Sequence, residues 1–447
     1  MSQSAIEKTA KEIFNINGFR TSQKEVIQCI LEQKHCMVLM PTGMGKSLCY
    51  QLPALHLEGL TVVLSPLIAL MKDQVDSLKK LNIDAEYINS SLSKTERLKR
   101  YGKIKNGKYK LLYVSPERFK NDDFLQVIST RKVSLLAIDE AHCASQWGND
   151  FRPEYSRLKE FSEILHYPTT IVLTATATMK VQEDIINKTG IPKDEIHIFN
   201  EGISRPNLSL SVEEVIDNQE KYEVILQHLK QFPGSAILYF NLIKSIEPFS
   251  HFLDEKKIKH SIYHGKLPAE RRKTIQSSFL EKKDQIMLAT NAFGMGIDKP
   301  DIRLIVHTEI PDSIESYYQE IGRAGRDGLP SEALLLYDES DLAVLMDFLE
   351  WKNPDVSFIK TVYHMLDKLG DSLPSYTYEE LQEKVVYKNK GDHRLQTVLS
   401  LFDRYAVTFG NLDFHTLRLE NPIPEFLLNK ETAEEKKVRD RERLYHM

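Results

Sequence analysis

Apolar residues in this chain fall into short unbroken runs, separated by stretches with a single apolar face. A first series comprises Met37–Leu39, Thr61–Leu64, Ala85–Ile88, Leu111–Val114, Leu135–Ile138 and Thr170–Leu173. A second begins near Ser209 and continues through Ser235–Phe240, His260–Tyr263, Gln285–Leu288, Arg303–Val306 and Ala333–Tyr337. Runs apolar at every position suit parallel strands covered on both faces. Alternation with helical stretches predicts an α/β fold with two doubly wound parallel sheets. The segment Glu201–Leu208 carries the glycine, proline and asparagine of a linker. Beyond about residue 355 the pattern is helical over 358–369, 378–385 and 393–402, then β-like over 406–409. That order fits a winged-helix-like module or a plain helical brace. The expected domains are 1–205, 206–345 and an accessory region, 346–447.

Composition narrows the class. The chain has 447 residues, 41% hydrophobic and 28% charged, enough for a core in each domain. A net charge of −5 means that any nucleic-acid binding must come from a local groove. No apolar run approaches membrane-spanning length, and the N-terminus lacks a signal-peptide core. Cys29, Cys36, Cys49 and Cys143 show no CxxC spacing, so neither zinc nor a disulfide framework is expected. A reduced cytoplasmic enzyme is the simplest reading.

The chemistry starts at Met40-Pro-Thr-Gly-Met-Gly-Lys-Ser47, between the first apolar run and a helical pattern. A strand, a glycine turn and a helix start make a triphosphate cradle. Thr42, Gly43, Met44 and Gly45 would wrap phosphate oxygens with backbone N–H groups. Lys46 would reach the β- and γ-phosphates, and Ser47 would hold Mg²⁺. Met40 stands where the usual pattern has its first glycine. Asp139-Glu-Ala-His142 follows another apolar run, where open α/β sheets place ligands. Asp139 suits Mg²⁺, and Glu140 suits orienting or deprotonating a water. Charge developing on the γ-phosphate calls for a cation. Arg323 and Arg326, three residues apart in Gln319–Gly328, would share one face if that segment is helical. The second series lacks a phosphate loop of its own, so one nucleotide would sit between the sheets.

These motifs in this order resemble RecQ-type DNA helicases of superfamily 2, over about residues 10–350. They are Gly18–Gln23, Pro41–Gln51, Ser65–Gln74, Asp139–His142, Leu173–Ala177, Ala289–Asp298 and Gln319–Gly328. The most specific is Ala141–Tyr155, which looks like that family's aromatic-rich loop. The resemblance implies tandem RecA-like domains and roles for further residues. Arg20 would stack on adenine and Gln23 would pair with its edge. Trp147, Phe151 and Arg152 would stack single-stranded bases. Ser65, Thr290 and Asn291 would hold strand phosphates, and Thr174, Thr176 and Gln319 would couple strand to nucleotide. The chain departs from the family at Ile16, where an aromatic residue is usual, and at Asn149, where histidine is frequent.

The implied activity is an ATP- and Mg²⁺-dependent 3′→5′ DNA helicase acting in repair and recombination. It would bind single-stranded and forked DNA as a monomer, in the cytoplasm or on the nucleoid. Relatives often continue into a four-cysteine zinc subdomain. No cysteine follows Cys143, and the charged stretch from Thr432 resembles the helix leading into that subdomain, which implies a shortened or truncated member. A DNA-stimulated translocase without unwinding, an RNA-remodelling DEAH-box enzyme and a non-enzymatic ATP-binding scaffold are the alternatives.

Overall fold

The computed structural model describes residues 3–428 apart from 21, 42, 67, 146–152, 176, 203, 295, 296, 298, 387–391 and 411–415. Residues divide into two compact units. The first spans 1–213, 217–308 and 315–336; the second spans 214–216, 309–314 and 337–447.

The first unit holds both predicted sheets. One contains β1 (His35–Leu39), β2 (Leu60–Leu64), β3 (Ala85–Ile88), β4 (Leu111–Val114), β5 (Val133–Ile138), β6 (Thr169–Thr174) and β7 (Ile196–Asn200) in the order β3-β4-β2-β5-β6-β1-β7. Its neighbouring strands pair in parallel. All of β2 and β4 is buried, as their apolar sequences require. β7 was not foreseen, because it lies at the sheet's edge and three of its five residues are exposed, which breaks the apolar run.

The other sheet contains β8 (Leu208–Glu214), β9 (Ser235–Tyr239), β10 (His260–Tyr263), β11 (Ile286–Ala289), β12 (Ile302–His307) and β13 (Ser331–Tyr337) in the order β10-β11-β9-β12-β13-β8. Parallel pairing puts the carboxyl ends of β1, β2, β5 and β6 on one edge of their sheet, and those of β9 to β12 on one edge of theirs. Local signals set the connecting helices. Ser93 and Glu96 close a reciprocal capping box on helix Lys94–Lys105. Thr178 and Asp217 cap helices Met179–Thr189 and Asn218–Gln231.

A buried histidine ties down the β8 edge. His228 Nδ1 lies 2.7 Å from Glu332 Oε2 on β13, and its Nε2 lies 2.7 Å from Glu213 Oε1 on β8. The Ser211 hydroxyl donates to the other Glu332 oxygen at 2.8 Å. Burial alone would lower the imidazole pKa, but hydrogen bonds to the two carboxylates override it and the net pKa is raised. A raised folded-state pKa gives stability that is complete below the unfolded value of about 6.5 and fades as pH rises through the folded value. His228→Ala should therefore cost about 3 kcal/mol at pH 6 and clearly less at pH 9, read as the shift in melting midpoint against wild type. Equal shifts at both pH values would show that the imidazole keeps one protonation state across this range.

The second unit packs helices Val356–Leu369, Tyr378–Val385 and Arg394–Arg404 with an antiparallel ribbon, β14 (Thr408–Phe409) and β15 (Arg418–Leu419). Val362, Leu366, Leu381, Leu395, Val398, Phe402 and Val407 form its core. Asp355 caps the first helix, and Thr377 with Glu380 forms a capping box on the second. Three helices followed by a ribbon is the element order read from the sequence.

Candidate active site

The phosphate loop leaves the carboxyl end of β1. Gly43 and Gly45 adopt φ of 79° and 80°, the left-handed region that glycine reaches without strain. Ser47 precedes helix Leu48–His56. Lys46 Nζ donates to the Met40 carbonyl at 3.2 Å, while the Met40 side chain is buried among Val38, Tyr50 and Leu173. Position 40 thus contributes a carbonyl to the loop and a side chain to the core, so glycine is not needed there.

Helix Gln23–Leu31 presents its first residue to this loop. Gln23 Oε1 accepts from the Arg20 backbone N–H at 2.9 Å, and its Nε2 donates to the carbonyls of Met44 at 2.9 Å and Gly45 at 3.2 Å. Arg20 Nη1 donates to the Gly43 carbonyl at 2.6 Å. Both residues proposed to face adenine are therefore beside the loop. Thr42 lies outside the described residues.

Asp139 and Glu140 follow β5, two strands from β1 in the sheet. The Asp139 N–H donates to the Leu64 carbonyl at 2.9 Å. Burial first, and the adjacent Glu140 second, push the Asp139 carboxyl up to about 7, with Lys46 opposing. Glu140 adopts φ 48°, ψ 47°, a left-handed conformation rarely taken by a non-glycine residue. Its N–H donates to Asp139 Oδ1 at 3.0 Å. Its Oε2 is buried without a hydrogen-bond partner, and His142 Nδ1 stands 3.5 Å away. The same His142 nitrogen is 3.1 Å from Thr174 Oγ1, the last residue of β6. A hydroxyl at Ser47 and a buried carboxylate at Asp139 are hard oxygen donors, the set that suits Mg²⁺. Thr176 lies outside the described residues.

The two arginines behave differently. Helix Ile314–Ile321 ends before both, and Gly325 turns with φ 56°, so Arg323 and Arg326 do not share a helical face. Gly322 and Gly325, the breakers in the segment, account for this correction. Gln319 sits half-buried on the helix itself. The Arg326 side chain packs on the phosphate loop: a Cβ built on Gly43 would lie 2.9 Å from Arg326 Cγ and 3.1 Å from its Cδ. Arg323 is buried, and its Nη1 donates to the Gly294 carbonyl, in the motif that follows β11.

Polar residues line the strand ends away from the loop. Ser65 after β2, Asn89 after β3 and Ser115 after β4 are all buried. Asn89 Nδ2 and Ser115 Oγ have no hydrogen-bond partner. Asn89 and Ser115 were missed in the sequence, where their only signal was position directly after an apolar run. Thr290 and Asn291 follow β11; Thr290 is buried and Asn291 exposed. Trp147, Asn149, Phe151 and Arg152 lie outside the described residues.

Comparison with known proteins agrees with this geometry. Residues 20–185 match the DEAD/DEAH box helicase family, and residues 220–328 match the helicase conserved C-terminal domain. The chain is 41% identical over 384 residues to the ATP-dependent DNA helicase RecQ of Haemophilus influenzae, covering 86% of this chain and 61% of that protein. It is 36% identical over 391 residues to the Bacillus subtilis protein named "Probable ATP-dependent DNA helicase RecS", covering 85% of this chain and 78% of the relative. The chain belongs to the RecQ family. This RecQ-family chain spans about 60% of the length of the RecQ relatives it matches from Haemophilus influenzae, Pasteurella multocida and Bacillus subtilis. Its fold is shared with the DUF1998 helicase MrfA bound to DNA, at TM-score 0.63 and 18% identity, over 94% of this chain and 62% of that one. Mss116p bound to ssRNA and AMP-PNP shares it too, at TM-score 0.60 and 17% identity, over 91% of this chain and 87% of that one. Two tandem RecA-like sheets are thus the architecture of this RecQ-family member. Among the described residues no helix is long and apolar enough to cross a membrane.

Proposed function

We propose that this chain is an ATP-driven 3′→5′ DNA motor that unwinds duplexes. The observation that carries the reading is the Arg326 side chain against Gly43, which places a guanidinium from the second sheet on the phosphate loop of the first. A site assembled from both sheets can convert hydrolysis into relative movement of two strand-gripping edges. Membership of the RecQ family and the names of its relatives favour DNA as the track.

In this mechanism the loop N–H groups and Lys46 hold the β- and γ-phosphates. Mg²⁺, held by Ser47 and Asp139, would neutralise phosphate charge. Glu140 aligns a water and accepts its proton. Arg326 stabilises charge on the transferred phosphoryl group. Arg20 and Gln23 would leave their loop contacts to face adenine. Ser65 with Thr290 and Asn291 would grip strand phosphates, joined by Asn89 and Ser115. Trp147, Phe151 and Arg152 would stack bases, with Thr174, Thr176 and Gln319 linking strand to nucleotide. The cofactors are ATP and Mg²⁺ without zinc. The partners are single-stranded and forked DNA, engaged by a monomer in the cytoplasm or on the nucleoid.

The test is ATP turnover with single-stranded DNA, duplex DNA and RNA, alongside displacement of a strand from a 3′-tailed duplex. Single-stranded DNA should stimulate turnover far more than RNA, and the tailed duplex should open. Equal stimulation by RNA would overturn the choice of track. Turnover without strand displacement would support translocation alone. One observation favours that second reading: helix Arg394–Arg404 exposes Gln396, Ser400 and Asp403, and Arg394 is tied to Asp392 at 2.6 Å. Among its described side chains, this face offers no cation for a duplex backbone.

A further inference from the structure

The linker between the sheets is built as a strap, and its two ends hold opposite sides of the nucleotide site. At its start, the Glu201 N–H donates to the carbonyl of Leu39, the last residue of β1, at 3.0 Å. Glu201 Oε1 accepts from the Ser22 backbone N–H at 2.7 Å and from the Ser22 hydroxyl. The strap is therefore pinned where the phosphate loop begins and where helix Gln23–Leu31 opens.

Four residues later, Arg205 spreads its guanidinium over the turn that carries the arginines. Its Nη1 donates to the Gly322 carbonyl at 3.4 Å, and its Nη2 donates to Ala324 at 2.8 Å and Gly325 at 3.1 Å. These carbonyls lie just past the end of helix Ile314–Ile321, where the helical ladder has stopped; within the turn the Gly322 carbonyl also accepts from Arg326 Nε at 3.4 Å and the Gly325 carbonyl from the Gly328 N–H at 3.0 Å. Asn207 Nδ2 adds bonds to Gly325 O at 2.8 Å and Leu329 O at 3.0 Å. A Cβ built on Gly325 would lie 2.4 Å from that same nitrogen, so the turn closes tightly on the strap. A chain of four residue steps spans at most roughly 14 Å. While both sets of hydrogen bonds hold, the strap keeps the arginine turn near the end of β1.

We propose that Arg205 is a positioning residue for hydrolysis: it fixes the Gly322–Gly325 turn so that Arg326 meets the phosphate loop. The inference rests on the ATP-hydrolysing function proposed above. It assigns the linker a role that its sequence, read as punctuation alone, did not suggest. A planar fork is required because one side chain must serve three carbonyls, which an ammonium group cannot match in the same geometry.

The experiment measures DNA-stimulated kcat, KM for ATP and Kd for a non-hydrolysable ATP analogue in Arg205→Ala, Arg205→Lys, Arg326→Ala and the Arg205→Ala/Arg326→Ala double variant. Arg205→Ala should lower kcat by roughly 10- to 100-fold, with KM and analogue Kd within about twofold of wild type. Arg205→Lys should keep the wild-type melting midpoint yet stay depressed in kcat. The double variant should be no slower than Arg326→Ala alone, because Arg205 acts through Arg326. An unchanged kcat in Arg205→Ala, losses that multiply in the double variant, or a kcat loss that follows analogue binding and melting would each overturn the proposal. A crippled Arg326→Ala beside a normal Arg205→Ala sinks this inference alone. A normal Arg326→Ala sinks the hydrolytic role of Arg326 and, with it, the strap.

Discussion

Alanine at position 326 is expected to lower ATP turnover by about 10³-fold while leaving nucleotide binding nearly intact. The expectation follows from where the side chain lies. Its stem lies against Gly43 and its Nε donates to the Gly322 carbonyl at 3.4 Å, so its guanidinium would stand beside phosphates held by the loop. A cation delivered there acts on charge that grows only as the phosphoryl group transfers, so its loss should appear in kcat. Arg326→Lys should recover little, because lysine offers a point charge in place of a bidentate fork. Arg323→Ala should behave differently. That guanidinium is buried against the Gly294 carbonyl, so its loss should depress the melting midpoint as well as turnover. The measurement is steady-state ATPase with saturating single-stranded DNA, together with binding of a labelled nucleotide analogue. Full turnover in Arg326→Ala would remove the two-sheet site.

Glu140→Gln should be comparably severe, lowering turnover by about 10³-fold and abolishing strand displacement, with nucleotide binding retained. Glutamine has the shape of glutamate but cannot take a proton from water. The backbone N–H at 140 would still bond Asp139 Oδ1, so the carboxylate beside it keeps its support. The Glu140 Oε2 atom is buried, with His142 Nδ1 3.5 Å away. Retained hydrolysis in the glutamine variant would assign the base elsewhere. Loss of nucleotide binding would mean that the substitution damaged the loop instead.

Residues buried on both faces of a sheet were legible in the sequence because parallel pairing demands unbroken apolar runs. β2 and β4 are the clear cases, since every residue in each is both apolar or β-branched and buried. β7 was illegible for the converse reason, because an edge strand tolerates His197 and Asn200 in exposed positions. The loop glycines and the two carboxylates could be read because their chemistry is local to a few adjacent residues. The separate fates of Arg323 and Arg326 could not, because they depend on a helix stopping at Ile321 and on carbonyls that lie far away in sequence. Arg205 was invisible for the same reason: its partners lie 117 to 120 positions downstream.

Gln23 carries a consequence for how substrates are told apart. Its amide already satisfies both of its atoms on backbone groups of the chain. An adenine edge would replace one accepted and two donated hydrogen bonds with one of each, so the exchange adds little net binding energy. Guanine presents acceptors at both O6 and N7, so its N7 could still take the Nε2 donor while O6 would leave Oε1 without a donor. At Gln23, purine preference would therefore arise as a penalty on the wrong base rather than a reward for the right one, which leaves the gain from the base to its stacking on Arg20.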